Sequence, residues 1–217
     1  MFIAAASPSF KEKDRALIAW YRRELERSSV QVKLNSEVKS IVSVEADEVI
    51  IATGSKPVQL PIPGIEHGIQ AIDFLRGRKE VGDNVIIIGG GLTGCEIAYE
   101  LYLQGKHPTI VEMKNDLIAV KGVCLANSSY LRDFFKANKV PVHLETKLCE
   151  VKPNGVEVCD RNGIKYELDA DSVILSTGYR SNPLAQQDKH VHIVGDAAKV
   201  GNLRTVIWQA WDVAMKL

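Results

Sequence analysis

The stretch that decides the fold is NVIIIGGGLTGCE, residues 84–96. Four consecutive apolar residues, Val85–Ile88, run into a glycine cluster, and Leu92–Gln104 leaves it with helical periodicity. Gly89, Gly91 and Gly94 hold the fixed places of G-x-G-x-x-G. Glycine-rich turns are common, so the string alone is weak; an apolar strand before it and a helix after it make it specific. Gly89 permits a tight turn, Gly91 lets backbone approach a pyrophosphate, and Gly94 lets helix and strand pack closely. Leu92 and Thr93 open the helix, where free N–H groups and a partial positive charge suit phosphates.

The next strand is expected at Thr109–Glu112. Glu112 ends it 112 − 94 = 18 residues after the last glycine, near the ~20 expected for the acid that binds a ribose 2′-hydroxyl. A carboxylate there repels a 2′-phosphate and favours NADH over NADPH, although Lys114 two residues on could serve a phosphate. Two other readings share the string: a tight strand–helix turn beside an unrelated surface glutamate, and the glycine loop and acid of a methyltransferase.

Outward from this unit, Phe10–Arg27 is expected as a helix with Leu17, Ile18, Tyr21 and Leu25 on one face, and Val30–Leu34 alternates as a strand. Ala46–Gly54 has the look of a strand buried on both faces and stopping at a glycine. Pro57, Pro61, Pro63 and Gly64 form a stiff connector. Beyond Glu112, a helix at about Ser129–Asn138, a strand at Val140–Leu144 and short strands around Leu148–Val151, Val156–Cys159 and Tyr166–Leu168 follow. Asn154-Gly155 and Asn162-Gly163 supply hairpin turns. Ser172–Gly178 repeats the apolar strand ending in glycine, Val191–Gly195 is a short strand, and Leu203–Met215 is a last helix. Trp208 and Trp211, three apart on it, are expected to pack into the core. Strands alternating with helices predict an α/β fold with a parallel sheet.

Lysine plus arginine and aspartate plus glutamate both number 27, so the formal net charge is zero. That removes the electrostatic case for nucleic acid or an anionic membrane surface as partner. No run approaches 18 apolar residues, so no membrane span is expected. Cys95, Cys124, Cys149 and Cys159 lie far apart with no C-x-x-C, and a reducing cytoplasm is the default. His67, His107, His143, His190 and His192 show no metal-ligand spacing, and no nucleophile elbow or H-E-x-x-H is present. No metal site and no protein catalytic residue is expected.

Three further motifs narrow the reading. IIATG at residues 50–54 and ILSTG at 174–178 are near copies of one strand–turn, and VHIVGDAA at 191–198 places a glycine and an aspartate before the last helix. Taken with G-G-G-x-x-G-x-E, their order resembles the flavoprotein reductases with two dinucleotide-binding domains. Within these it is most similar to the C-terminal region of the NADH:flavin oxidoreductase family, which includes 2,4-dienoyl-CoA reductase and trimethylamine dehydrogenase. The resemblance covers nearly the whole chain.

It implies an α/β FAD/NAD(P)-binding fold: a Rossmann-like NAD(P)H-binding domain over 78–178, inserted in an incomplete FAD-binding domain made of 1–77 and 179–217. Asp196 would bond the ribityl chain of FAD and Gly195 would allow its approach. The last helix, with Arg204, would point at the flavin N1–O2 edge. Ala52-Thr53-Gly54 would meet FAD and Thr177-Gly178 NADH, as the two crossover turns. Glu96 would lie near the nicotinamide, and Val38 near the FAD adenine. The implied reaction is hydride transfer from NADH to FAD, in which the cofactors do the chemistry.

The family begins with its own FAD-binding G-x-G-x-x-G, and no such motif precedes Ile50. The resemblance therefore implies weak or absent FAD binding. It also implies a partner in the remainder of a larger flavoenzyme, with its FMN and iron–sulfur barrel, or in an electron-acceptor subunit. The alternative is a non-catalytic NAD-binding module or subunit without its own flavin.

Overall fold

The computed structural model describes residues 1–120, 122 and 124–217. The chain opens with α1 (Phe2–Ala5), α2 (Glu12–Arg27), β1 (Val49–Ile51), β2 (Ser55–Pro57), β3 (Ile69–Gln70) and α3 (Ala71–Leu75). Then follow β4 (Asn84–Ile88), α4 (Leu92–Leu103), β5 (His107–Val111), α5 (Leu125–Ala137) and β6 (Val142–His143). The meander β7 (Lys147–Lys152), β8 (Gly155–Cys159) and β9 (Lys165–Asp169) precedes β10 (Ser172–Leu175), β11 (Tyr179–Ser181), β12 (Val191–Ile193) and α6 (Leu203–Ala214). These elements form two compact units. One holds residues 3–12 and 59–178, the other residues 1–2, 13–58 and 179–217.

The larger unit is built on a five-stranded parallel sheet in the order β3-β10-β4-β5-β6. Its central strand, β4, reads Val-Ile-Ile-Ile without alternation because both faces are covered. Val85 and Ile87 face one way, joining Ile110 and Ile174 against Cys95, Ile97, Leu101, Leu131 and Phe135 of α4 and α5. Ile86 and Ile88 face the other way, with Val111, Val173 and Leu175, and meet Leu148, Val151, Val156 and Val158 of the meander. Asp171 fixes the start of β4: its carboxylate accepts from the Asn84 N–H at 2.8 Å and the Asp83 N–H at 3.2 Å. These bonds hold its pKa below the usual carboxylate value.

Residues 3–12 strap onto α4. Ala4 and Ala6 are buried. The Ser9 N–H and hydroxyl both donate to Glu100, at 2.9 and 2.8 Å. Phe10 meets the Tyr99 ring edge-on at 5.2 Å, and Lys11 pairs with Glu96 at 2.6 Å.

The smaller unit carries two strand pairs, parallel β1·β12 and antiparallel β2·β11, with α2 and α6. Three expectations fail here. Val30–Leu34 is not a strand, and Val30, Val32 and Leu34 are exposed. Among the described residues no strand runs beside it to take its ladder hydrogen bonds. The strand expected at 46–54 is buried at Ile51 alone, while Ile50 is 48% exposed, because β12 is its single neighbour among the described residues. Trp208 and Trp211 are exposed rather than core residues. Val206 and Gln209 are the α6 residues that reach Gly195, and the tryptophans project from the opposite face of the helix.

Phe135 is 2% exposed and Trp208 is 59% exposed. Phe135→Ala is therefore expected to destabilise the larger unit by about 3–5 kcal/mol, and Trp208→Ala to shift stability by no more than ~0.5 kcal/mol. Urea unfolding of both variants, followed by circular dichroism, checks the pair.

Candidate functional site

The residues of the glycine motif sit at the C-terminal end of β4, and each glycine has its own reason. Gly89 has φ +108°, and a Cβ on it would strike the Ser176 carbonyl oxygen. On Gly94 a Cβ would run into the Gly89 carbonyl oxygen, so helix and strand touch there through backbone. Gly91 is different: a Cβ would meet nothing within 4 Å. Its outer face is open, and it stands at the N-cap of α4 with no side chain capping the helix. The first N–H groups of α4, at Leu92 and Thr93, thus sit beside open space, where an anionic group fits.

Glu112 is buried, and both carboxylate oxygens are already engaged. One accepts from the Gly90 N–H at 2.6 Å and the other from the Lys114 N–H at 2.8 Å. The middle glycine, which the motif leaves as a free position, is therefore a structural partner of the acid. A Cβ on Gly90 would lie 2.5 Å from Leu117 Cδ2 and 3.0 Å from Glu112 Cβ. The Lys114 ammonium is directed at the Ala119 carbonyl oxygen, 3.5 Å away. Each carboxylate oxygen retains a lone pair beyond the one it has committed, so a ribose hydroxyl could still bond there.

Glu96, one turn into α4, faces the strap and pairs with Lys11. Thr177 and Gly178 follow β10, with Gly178 at φ +91°. The Cys95 thiol, beneath the loop, donates to the Gly90 carbonyl at 3.4 Å, and burial pushes its pKa up to about 12. A thiol held protonated in this way is a packing group rather than a nucleophile.

In the smaller unit, Gly54 (φ +78°) and Gly195 (φ +63°) both adopt left-handed backbone. The Thr53 hydroxyl donates to the Asn182 carbonyl at 2.9 Å, and Ala52 is exposed beside it. The Gly195 N–H donates to Gln209 at 2.7 Å. Asp196 accepts from the Ser55 hydroxyl at 3.2 Å and the Gly201 N–H at 3.1 Å. Asn202 and Thr205 form a reciprocal capping box at the start of α6, and Arg204 is exposed in its first turn. Val38 lies in an exposed irregular segment. Asp196 is partly exposed, between left-handed Gly195 before it and Ser55, which follows left-handed Gly54.

Sequence reasoning missed one cluster in this unit. Glu48, just before β1, accepts from His192 at 2.8 Å and His190 at 3.1 Å. These bonds hold its pKa below the usual carboxylate value, His192 contributing most. His192 lies in β12 and His190 just before it, two apart and so turned to one side, but the β1·β12 pairing that brings Glu48 to them is not written locally. Among the described residues, no group of three or more His, Cys, Asp or Glu could hold a metal ion. No helix among them is long and apolar enough to cross a membrane.

The burial of Cys95 predicts its chemistry. At pH 8 a thiol-specific reagent should label the exposed Cys124 in the native protein and reach Cys95 only after denaturation, as counted by mass spectrometry.

Residues 40–214 match the family described as pyridine nucleotide-disulphide oxidoreductase. Cinnamate reductase of Clostridium sporogenes is 41% identical over 97% of this chain, and NADH oxidase of Thermoanaerobacter brockii is 32% identical over 99%. The chain spans 33% and 35% of their lengths, respectively. Among solved structures, a 2-naphthoyl-CoA reductase superposes on the whole chain with a TM-score of 0.86 at 24% identity, over 34% of its own length. Histamine dehydrogenase from Rhizobium sp. 4-9 does so with a TM-score of 0.77 at 13% identity, over 38% of its length. With its glycine loop, its parallel sheet and a match over most of its length, the chain belongs to the pyridine nucleotide-disulphide oxidoreductase family and has its FAD/NAD(P)-binding fold.

Proposed function

We propose that this chain is the nicotinamide- and flavin-binding portion of an oxidoreductase that passes hydride from NADH to FAD. The observation that carries the reading is the open face of Gly91 at the uncapped start of α4, with the Glu112 carboxylate fixed beside the same loop. The pyrophosphate of NADH would lie on the Gly91, Leu92 and Thr93 amides, held by N–H groups and the helix dipole. The adenine ribose would meet the outward lone pairs of Glu112. Gly89 and Gly94 act indirectly, by shaping the loop, and Thr177 and Gly178 would border the nicotinamide half.

A bound FAD would supply the acceptor for the hydride that NADH carries. This chain's residues would position it: Asp196 at the ribityl chain, Gly195 and Ala52-Thr53-Gly54 as close-approach backbone, and Val38 at the adenine. Glu96 would act at the nicotinamide end, its charge balanced by Lys11. The preference for NADH over NADPH rests on Glu112, whose negative charge opposes a 2′-phosphate. It rests also on Lys114, whose ammonium is turned toward Ala119. Because the named relatives are about three times as long, the second substrate and the electron acceptor would belong to the remainder of a larger flavoenzyme.

Two measurements test this. Protein reconstituted with FAD should lose its flavin absorbance anaerobically on addition of NADH. A protein that binds NADH by calorimetry but holds no flavin would reduce the reading to an NAD-binding module, and one that binds neither would end it. Glu112→Ala should weaken NADH binding by about 1–3 kcal/mol, the value of a hydrogen bond to a charged group, and NADPH binding less or not at all. Equal losses would reject Glu112 as the discriminating residue.

A further inference from the structure

We infer that Arg132, on α5, is a positioning residue for the adenosine end of NADH, acting through the turn that carries Glu112. The inference rests on the reading of Glu112 as the ribose carboxylate. Its guanidinium grips the 112–118 turn at three points. Nε donates to one Asp116 oxygen at 3.0 Å, Nη2 lies 2.9 Å from the other, and Nη2 also donates to the Leu117 carbonyl at 2.5 Å. A planar fork meeting a carboxylate with two bonds fixes direction as well as distance.

What that grip holds is a closed circuit. From Leu117 the chain turns through Ile118, whose φ is +52°. A β-branched residue in the left-handed region persists only where its surroundings over-determine it. Here they do: the Leu117 and Ile118 side chains are buried in the core under α4 and α5. The Ile118 N–H donates to the Gly90 carbonyl at 2.7 Å. Gly90 in turn gives its N–H to Glu112, and Glu112 accepts from Lys114 at the head of the same turn. Gly90 thus has both peptide groups committed to the turn and its missing Cβ replaced by Leu117.

The position of the Glu112 carboxylate is set jointly by the glycine loop and by the turn, and Arg132 braces that turn from α5. A hydroxyl-binding carboxylate misplaced by an ångström loses most of its bond. The arginine need never touch the nucleotide to govern its binding. Because Asp116 pairs with it, its charge is also directed into the turn rather than toward a 2′-phosphate.

A double-mutant cycle on the full chain tests the assignment, with dissociation constants for NADH read by calorimetry and folding followed by thermal melting. Arg132→Ala should weaken NADH about tenfold. Arg132→Lys, which can pair with Asp116 but cannot fork to Leu117 as well, should recover part of that loss. Combined with Glu112→Ala, the arginine substitution should add nothing further, because both act on one carboxylate. Full additivity would overturn the inference while leaving Glu112 in place, as would wild-type NADH affinity in a folded Arg132→Ala. Loss of no affinity in Glu112→Ala would instead overturn the ribose reading beneath it. Should Arg132→Ala fail to fold, Asp116→Asn removes the bidentate partner alone and is read in the same cycle.

Discussion

The larger unit turns on the hydrogen bond from the Gly90 N–H to the Glu112 carboxylate. It joins the turn after β4 to the turn after β5, at the end of the two strands where a nucleotide is received in open α/β sheets. A buried carboxylate left without partners is expensive, whereas one bonded to two backbone amides is held in place by them. The glycine loop therefore does more than make room. It also holds the acid, and the acid holds it. Leu117 is seated against the same Gly90, and the open face of Gly91 follows directly after it.

Two packed layers keep the bond where it is. The β4 strand sends alternate residues to two different covers, helices α4 and α5 on one side and the β7–β9 meander on the other. A strand so enclosed cannot shift its register by one residue without exchanging the side chains that fit its two covers. The strand ends, and with them Gly89 and Glu112, are thus fixed by the core behind them.

Much of this unit was legible in the sequence because its signals are local. An unbroken apolar run, glycines at fixed offsets and a helical period within one short window describe β4, its turn and α4 without reference to the rest of the chain. What was not legible depends on distant partners. Val30–Leu34 alternates like a strand, but a strand exists only beside another. Trp208 and Trp211 share a helical face, yet which face of α6 is covered is decided by Gly195. Glu112 could be picked out by its spacing from the last glycine, but its grip on Gly90 could not, since G-x-G-x-x-G treats the second residue as free. The contact between Glu48 and the two histidines joins residues 142 and 144 positions apart and left no local trace at all.

The strap of residues 3–12 has a consequence for the order in which the molecule is assembled. Ser9 is bonded to Glu100, 91 residues later in the chain. At typical synthesis rates of about 5–20 residues per second, roughly 5–18 s pass before its partner has even been made. Through that interval Ala4, Ala6 and Phe10 have no α4 to cover them. Residues 3–12 therefore cannot pack until α4 has been made, and until then the nascent chain carries an unshielded apolar segment that a chaperone could hold.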